Sequence, residues 1–188
     1  MITSAPFMSC REETDLAGMI IDSLRFAAAE DRVSGKLPLS CLPRLADVLV
    51  SQQGALDCAL AGYCEKDESG GGETKLGLHL RVSGGLALQC QRCLAEVEID
   101  CAIDTRLLLI PPETEWPEEE LEADDYDAIP ASRELSLLSL IEDEVLLALP
   151  LVPRHADCVA PGASDAAQQF LESGKPSPFA VLASLKKH

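Results

Sequence analysis

Alternation of apolar and polar residues is the clearest pattern in the middle of the chain. Residues 56–60, 76–82 and 97–109 place an apolar side chain at nearly every second position. This period of two puts the apolar side chains on one face of a strand. The pattern predicts a meander of antiparallel strands, with turns in the polar, glycine-rich stretch 66–73 and at 83–85.

The segments flanking the meander have shorter patterns. Apolar residues favour short strands at 20–25 and 32–39, and a proline at a first helical position favours a short helix at 43–50. After the meander, a serine cap and an apolar stripe predict a helix over 136–149, which a proline ends. The acidic residues 142–144 fall mainly on its other side, so we expect them to face solvent.

A second helix is predicted over 177–187, from a serine cap, a proline at the first helical position and two lysines in the last turn. Its apolar residues Phe179, Leu182 and Leu185 could dock on the domain or anchor a partner in helix-in-groove fashion. Residues 162–176 would be its tether.

These elements predict an α+β fold, in which an antiparallel, barrel-like sheet carries a covering C-terminal helix and a tethered terminal helix. The predicted organisation is a loose leader at 1–19, a single domain over 20–160 that includes an acidic loop at 112–130, and a tail over 161–188. With 188 residues, 47% of them hydrophobic, the chain can bury a core.

Charge narrows the classes of partner. The chain has 15 basic and 32 acidic residues and a net charge of −17, which repels phosphate backbones and attracts basic proteins. Aromatic residues make up only 4%, so rings on which single-stranded bases could stack are few. Binding to a basic protein is therefore favoured over charge-driven binding to nucleic acid.

The acidic charge is concentrated between Glu113 and Asp127, which hold nine carboxylates and no basic residue between them. Self-repulsion should keep this stretch solvated and extended. It is either a plain acidic loop or a docking surface for a basic partner. The residues proposed for docking are Glu118, Glu119, Glu120 and Glu122.

The expected location is the cytoplasm. No stretch of 18 uncharged apolar residues is present, and the N-terminus lacks the basic, apolar and small-residue pattern of a secreted chain. Without export, the eight cysteines should stay reduced, and most should be small buried hydrophobes.

Two of the cysteines carry candidate chemistry. Cys90 and Cys93 could hold one metal ion or form one disulfide, but strand-like residues follow them instead of the helix that a thioredoxin-like pair needs. His155 and Cys158, after a proline-bounded segment, could complete a tetrahedral zinc site. Such zinc would be structural, since four protein ligands leave no position for water. Reduced cysteines without metal are the alternative.

Catalytic motifs are scarce in the sequence, which favours a non-enzymatic protein. His79 sits in an alternating segment, where the polar face of a strand is its expected place. The sequence contains no nucleotide-binding loop, serine-hydrolase elbow or metalloprotease motif.

Several segments, in order, resemble the YceD family of large ribosomal RNA subunit accumulation proteins. They run from residue 20 to the end of the chain. The matching stretches are IDSLRF at 21–26, LRVSG at 80–84, LQCQRCL at 88–94, IEDEVLLALP at 141–150, PRH at 153–155 and PFAVLASL at 178–185.

The resemblance implies a role in the synthesis, processing or stability of the large-subunit ribosomal RNA (rRNA), 23S in bacteria. We expect an adaptor for a basic protein. One alternative is direct rRNA binding through the arginines Arg81, Arg92, Arg106 and Arg154. The other, ranked below it, is a metal-dependent RNA hydrolase, which would need an open metal position.

Overall fold

A computed structural model describes residues 15–66, 74–113 and 126–162 together with Phe179. Seven strands and two α-helices follow one another in this part of the chain. They are β1 (Ile20–Ile21), α1 (Ser23–Ala28), β2 (Arg32–Pro38), β3 (Ala55–Lys66), β4 (Thr74–Gln89), β5 (Glu96–Ile110), β6 (Asp127–Pro130), β7 (Leu135–Ser136) and α2 (Leu137–Ala148). A 3-10 turn, Leu39–Cys41, follows β2.

Five strands form the main sheet in the order β2-β3-β4-β5-β6. The first three pairings are antiparallel, as the alternation predicted, and the long strands β4 and β5 run side by side for 13 paired positions from Gly77 to Gln89. β6 pairs with β5 in parallel. β1 and β7 make a separate two-stranded antiparallel sheet.

The expectation of a barrel-like, wholly antiparallel sheet is wrong. Among the described residues the sheet is open, with β2 and β6 as its edges, and the β5–β6 pair is parallel. β6 has only four residues and ends at Pro130. Proline cannot donate to a strand ladder, so this edge offers little for closure on β2. The broader expectation of strands with a few covering helices is confirmed.

The core lies on one face of the sheet, beneath the two helices. It consists of inward-facing leucines of β3, β4 and β5, such as Leu60, Leu80 and Leu107, packed against apolar residues of α1 and α2. Helix α1 crosses β3 at Gly62, where a Cβ atom would lie 2.5 Å from the carbonyl oxygen of Phe26. Glycine is therefore needed for this close approach. Leu16, within the predicted leader, is also buried in this core.

Helix α2 matches its prediction closely, with the side chain of Ser136 accepting a hydrogen bond from the Ser139 N–H. One prediction for α2 is wrong. Glu142 was expected to face solvent, but it is 3% exposed and accepts a hydrogen bond of 2.7 Å from the backbone N–H of Arg44. The neighbouring Asp143 forms an exposed ion pair with the Arg44 guanidinium.

The predicted strand at 20–25 is only two residues long, because a helix starts inside it. The Asp22 side chain accepts a hydrogen bond of 3.1 Å from the Arg25 N–H and caps α1. Ser23 is fully buried, and its hydroxyl accepts a hydrogen bond of 3.0 Å from the Ser132 N–H. Capping and this tertiary bond outweigh the local apolar pattern.

Two other predictions, the helix at 43–50 and the turn at 83–85, are wrong. Residues 43–48 form successive turns instead of a helix, and the chain then pairs with β4 through a 2.8 Å bond from the Val50 N–H to the Ala87 carbonyl. At 83–85, β4 continues without a turn. A Cβ atom on Gly84 would lie 2.7 Å from the Leu56 side chain, so this glycine permits close packing between strands.

Some predicted segments lie outside the described residues. They are the loop at 67–73, residues 114–125 of the acidic loop, and the terminal helix apart from Phe179, whose side chain is 72% exposed. The last part of the predicted acidic loop, Asp127–Pro130, is strand β6. The division into leader, domain and tail stays a prediction. Within the described ranges, no helix has the length and apolar character that crossing a membrane requires.

Candidate metal centre

The Cys90 and Cys93 pair lies in a tight turn between β4 and β5. The turn is closed by two backbone hydrogen bonds, from the Cys90 N–H to the Ala95 carbonyl at 2.8 Å and from the Leu94 N–H to the Cys90 carbonyl at 2.9 Å. Leu94 has a φ of 63°, in the left-handed region. The two cysteines are thus held by the antiparallel strands on either side of them.

The His155 and Cys158 pair lies beside this turn, although it comes from the segment that follows α2. It follows α2 in a segment without regular structure, in which Pro153 accepts a hydrogen bond of 2.9 Å from the Gln91 N–H. The Arg92 guanidinium donates to the Cys158 carbonyl at 2.9 Å. These two bonds join the loops at 90–94 and 153–158, which are about 60 residues apart in sequence.

All four predicted metal ligands come together. One ligand atom from each of Cys90, Cys93, His155 and Cys158 lies within 4.8 Å of all the others. The Cys90 and Cys158 sulfurs are 3.7 Å apart, and the Cys93 sulfur is 3.3 Å from the His155 Nδ1.

These spacings fit a tetrahedral metal ion. With Zn–S bonds of about 2.3 Å and Zn–N bonds of about 2.0 Å, tetrahedral geometry places two sulfurs about 3.8 Å apart and a sulfur and a nitrogen about 3.5 Å apart. The donor set of three sulfurs and one nitrogen is also one that zinc takes in structural sites. The group can therefore hold a metal ion with little rearrangement.

The electrostatics favour a thiolate at Cys90, which is fully buried. Burial is the largest single influence and raises the pKa, but hydrogen bonds from the Cys93, Arg92 and His155 backbone N–H groups and from the Cys93 thiol outweigh it and lower the pKa of Cys90 to about 5. The pKa of Cys158 is raised by burial and by its contacts with the Cys90 and Cys93 thiols. Backbone donors aimed at one sulfur are what a thiolate ligand needs.

Two other described cysteines, Cys58 and Cys101, are buried outside this cluster. Burial raises the pKa of Cys58 to about 12, and burial also raises the pKa of Cys101. Both point into the core, where a protonated thiol acts as a small hydrophobe. The sequence expectation of structural cysteines fits these two, whereas the cluster of four has a different environment.

The four arginines proposed for RNA contact lie in two places. Arg81 and Arg106 are on the solvent face of β4 and β5, whereas Arg92 and Arg154 are in the metal loops. β4 continues for eight residues beyond Arg81, a length of about 26 Å at about 3.3 Å per residue. Arg81 therefore lies far along the strand from the turn that carries Arg92. Arg92 is also half-buried and bonded to the Cys158 carbonyl, so it contributes to loop packing.

Basic residues are concentrated on one part of the solvent face of the sheet. Three rows of paired residues cross β2 to β5 here and contain four Lys or Arg residues and two aspartates. The rows are Arg32–Ala61–His79–Arg106, Ser34–Ala59–Arg81–Asp104 and Lys36–Asp57–Ser83–Ala102. A shallow depression of about 690 Å³ lies over the second and third rows.

Salt bridges occupy much of this face. Lys36 pairs with Asp57 at 3.2 Å, and Arg106 pairs with Glu65 while lying 4.7 Å from the centre of the Tyr63 ring. His79 contacts Asp104, and this hydrogen bond is the main cause of a lowered pKa of that carboxyl. His79 thus lies on the polar face, as its position in the strand predicted.

The predicted partner-binding residues are mostly beyond the described chain. Glu118, Glu119, Glu120 and Glu122 lie outside the described residues, as do Leu182 and Leu185. Phe179 is described and exposed. Their roles stay predictions.

Sequence reasoning missed two features of the site. The bond from Arg92 to the Cys158 carbonyl and the left-handed backbone of Leu94 both depend on how the loops meet. No pattern in the sequence indicates either, because an arginine or a leucine after a strand has no fixed role. The ligand set itself was found from spacing and from the proline-bounded segment before His155.

Comparisons with known proteins place the site within the part of the chain that a family model matches. The family model described as large ribosomal RNA subunit accumulation protein YceD matches residues 78–186, which include both metal loops. A curated protein of that name from Haemophilus influenzae is 32% identical over 108 residues, covering 53% of this chain and 59% of that protein. The chain thus spans less than two thirds of that relative. No solved structure was found to match.

Proposed function

We propose a function from the premise that this chain belongs to the YceD family of large ribosomal RNA subunit accumulation proteins. The family match, over more than half of the chain, is the observation that carries the proposal. The chain supports the accumulation of large-subunit rRNA in the cytoplasm, where that RNA is made and assembled. It acts as a non-enzymatic adaptor that binds a basic ribosomal protein or processing factor.

Charge supports a protein partner over naked RNA. The net charge of −17 repels phosphates at distances up to about one Debye length, roughly 8 to 10 Å in physiological salt. Arg106 and Arg44 are each paired with a carboxylate. The residues proposed to recruit the basic partner are those of the acidic stretch, Glu118, Glu119, Glu120 and Glu122.

The metal centre has a structural role in this proposal. The cluster offers four protein ligands, so a zinc ion bound by all of them would keep no open position for an activated water. Its effect would be to join the β4–β5 turn to the segment after α2. This supports an adaptor over the metal-dependent RNA hydrolase, which needs such an open position.

The function is tested in cells that lack the gene. We expect the ratio of large-subunit to small-subunit rRNA to fall and to recover with the wild-type chain. A variant with Glu118, Glu119, Glu120 and Glu122 all changed to Gln should restore it poorly, whereas Glu30→Gln with Glu134→Gln, two exposed carboxylates elsewhere in the domain, is the control. An unchanged rRNA ratio in the deletion strain would refute the proposed function.

Direct RNA binding is a second candidate, favoured by one observation. Three adjacent rows on the solvent face of β2 to β5 have four Lys or Arg residues against two aspartates, in a chain with a net charge of −17. Phosphates could lie along these rows. Arg81→Ala with Arg106→Ala should then weaken binding of purified protein to large-subunit rRNA fragments, while the exposed Arg133→Ala, away from this face, should not. Equal binding by all variants would eliminate this surface.

A further inference from the structure

Exposed apolar side chains gather around the metal centre. Leu94 is 58% exposed, Val152 is 48% exposed and Val159 is 72% exposed. Leu151, next to Val152, is fully exposed, and Val50, which pairs with β4 near the turn, is 50% exposed. We call these five residues the apolar rim.

Hydrogen bonds join the two chain segments that carry four of the five rim residues. Val152 precedes Pro153, whose carbonyl accepts from Gln91, and Val159 follows Cys158, whose carbonyl accepts from Arg92. Leu94 closes the same turn. Contiguous exposed apolar residues on a rigid base are the usual mark of an interaction site, whereas single exposed ones need no explanation.

The backbone of Leu94 gives an independent reason to assign a role to its side chain. Its φ of 63° lies in the left-handed region, which glycine and asparagine adopt at low cost and a bulky side chain does not. The chain thus holds a large apolar side chain in a strained conformation and points it towards solvent. Such strain is typical of residues that act in recognition.

We propose that the apolar rim docks a segment of a basic protein in which apolar side chains alternate with lysine or arginine. This rests on the proposed function and names the surface that the partner uses. Exposed carboxylates of Asp47, Glu96 and Asp157 lie two or three residues from rim positions in the sequence, where the exposed basic residue is Arg154 and the Arg92 guanidinium is bonded to the Cys158 carbonyl. They complement cations beside the apolar anchors, as charged rims complement hot spots in other interfaces.

A second copy of this chain fits the rim poorly. Two chains of net charge −17 would have to meet, and their repulsion opposes association. A basic segment would not be repelled by the acidic chain and would be attracted to it at long range. The metal centre should control the docking, because its ligands come from the loops at 90–94 and 153–158, which contain Leu94 and adjoin Leu151, Val152 and Val159 in sequence.

The test uses zinc-loaded full-length chain and, as probe, the proteins extracted from dissociated large ribosomal subunits. We expect capture of a basic protein, and about tenfold weaker binding after Leu94→Asn or Val159→Thr, as for a contact at an interface hot spot. Ile20→Thr is the matched control, since Ile20 is 64% exposed in β1, at the opposite end of α2 from the rim. The left-handed turn suits asparagine, so Leu94→Asn should stay folded.

The outcomes separate this inference from the proposed function. If wild type binds and both rim variants bind equally well, the rim is not the site, although the proposed function stands. If wild type captures no large-subunit protein, the inference is overturned, whereas the proposed function is decided separately by the rRNA ratio in the deletion strain. Self-association that disappears in the rim variants, or a crosslink from position 94 to residues 177–187, would give the rim another occupant and overturn the inference.

Discussion

The sheet and the metal centre are held together in different ways. The sheet has 13 paired positions between β4 and β5 alone and a core of leucines that are almost fully buried. The candidate metal centre has a few hydrogen bonds between its loops, such as those to the Pro153 and Cys158 carbonyls, and four candidate ligands from distant parts of the chain. The sheet can therefore form from its own packing, whereas we expect the arrangement of the two loops to depend on a metal ion bound by the four candidate ligands.

The largest expected effect is that of metal removal, which should act on one region only. A metal ion present at about 1,000 times its dissociation constant stabilises the folded chain by about 4 kcal/mol. Chelation should lower the melting temperature and speed amide exchange at 90–94 and 153–158, with little change in the centres of β3 and β4. Cys90→Ser should behave like chelated wild type, and Cys64→Ser is the control. Equal loss of protection in the sheet would show that the two regions are not separate.

The next effect should fall on the sheet alone. Leu80→Ala removes a side chain that is 1% exposed in the middle of β4, so we expect a loss of about 3 kcal/mol in the free energy of unfolding. Metal content should stay the same, because no ligand is near position 80. Urea unfolding with zinc quantification checks both. The exposed Leu147→Ala on α2 should cost less than about 0.5 kcal/mol.

A smaller effect is expected at the contact that ties α2 to the turns after β2. Glu142→Ala leaves the Arg44 N–H without its 2.7 Å acceptor and should destabilise the chain by about 1 to 3 kcal/mol. Glu142→Gln keeps an acceptor oxygen and should cost less. Chemical denaturation compares the two variants, and equal losses would mean that the hydrogen bond is not the source of the effect.

The smallest effect should have the opposite sign. Because Leu94 has a φ of 63°, Leu94→Asn should leave stability unchanged or raise it by up to about 1 kcal/mol. Thermal unfolding of the metal-loaded proteins measures it. A clear loss of stability would mean that Leu94 supports the fold, which would contradict its assignment to the apolar rim.

The same contrast explains what could be predicted from the sequence. The alternation in β3, β4 and β5 is local, so their existence followed from period two, although Gly84 and Gly85 were mistaken for a turn. The grouping of Cys90, Cys93, His155 and Cys158 followed from spacing. Local patterns do not encode contacts between distant segments. The parallel pairing of β6 with β5 and the hydrogen bond from the Arg44 N–H to Glu142 are two such contacts.

The binding preference of the metal-loaded chain tests the account most directly. The purified protein is offered proteins of the large ribosomal subunit and, separately, protein-free large-subunit rRNA at an ionic strength of about 0.15 M. We predict that it retains a basic protein and leaves the RNA in solution. Tight retention of the naked RNA, without any subunit protein bound, would contradict the account.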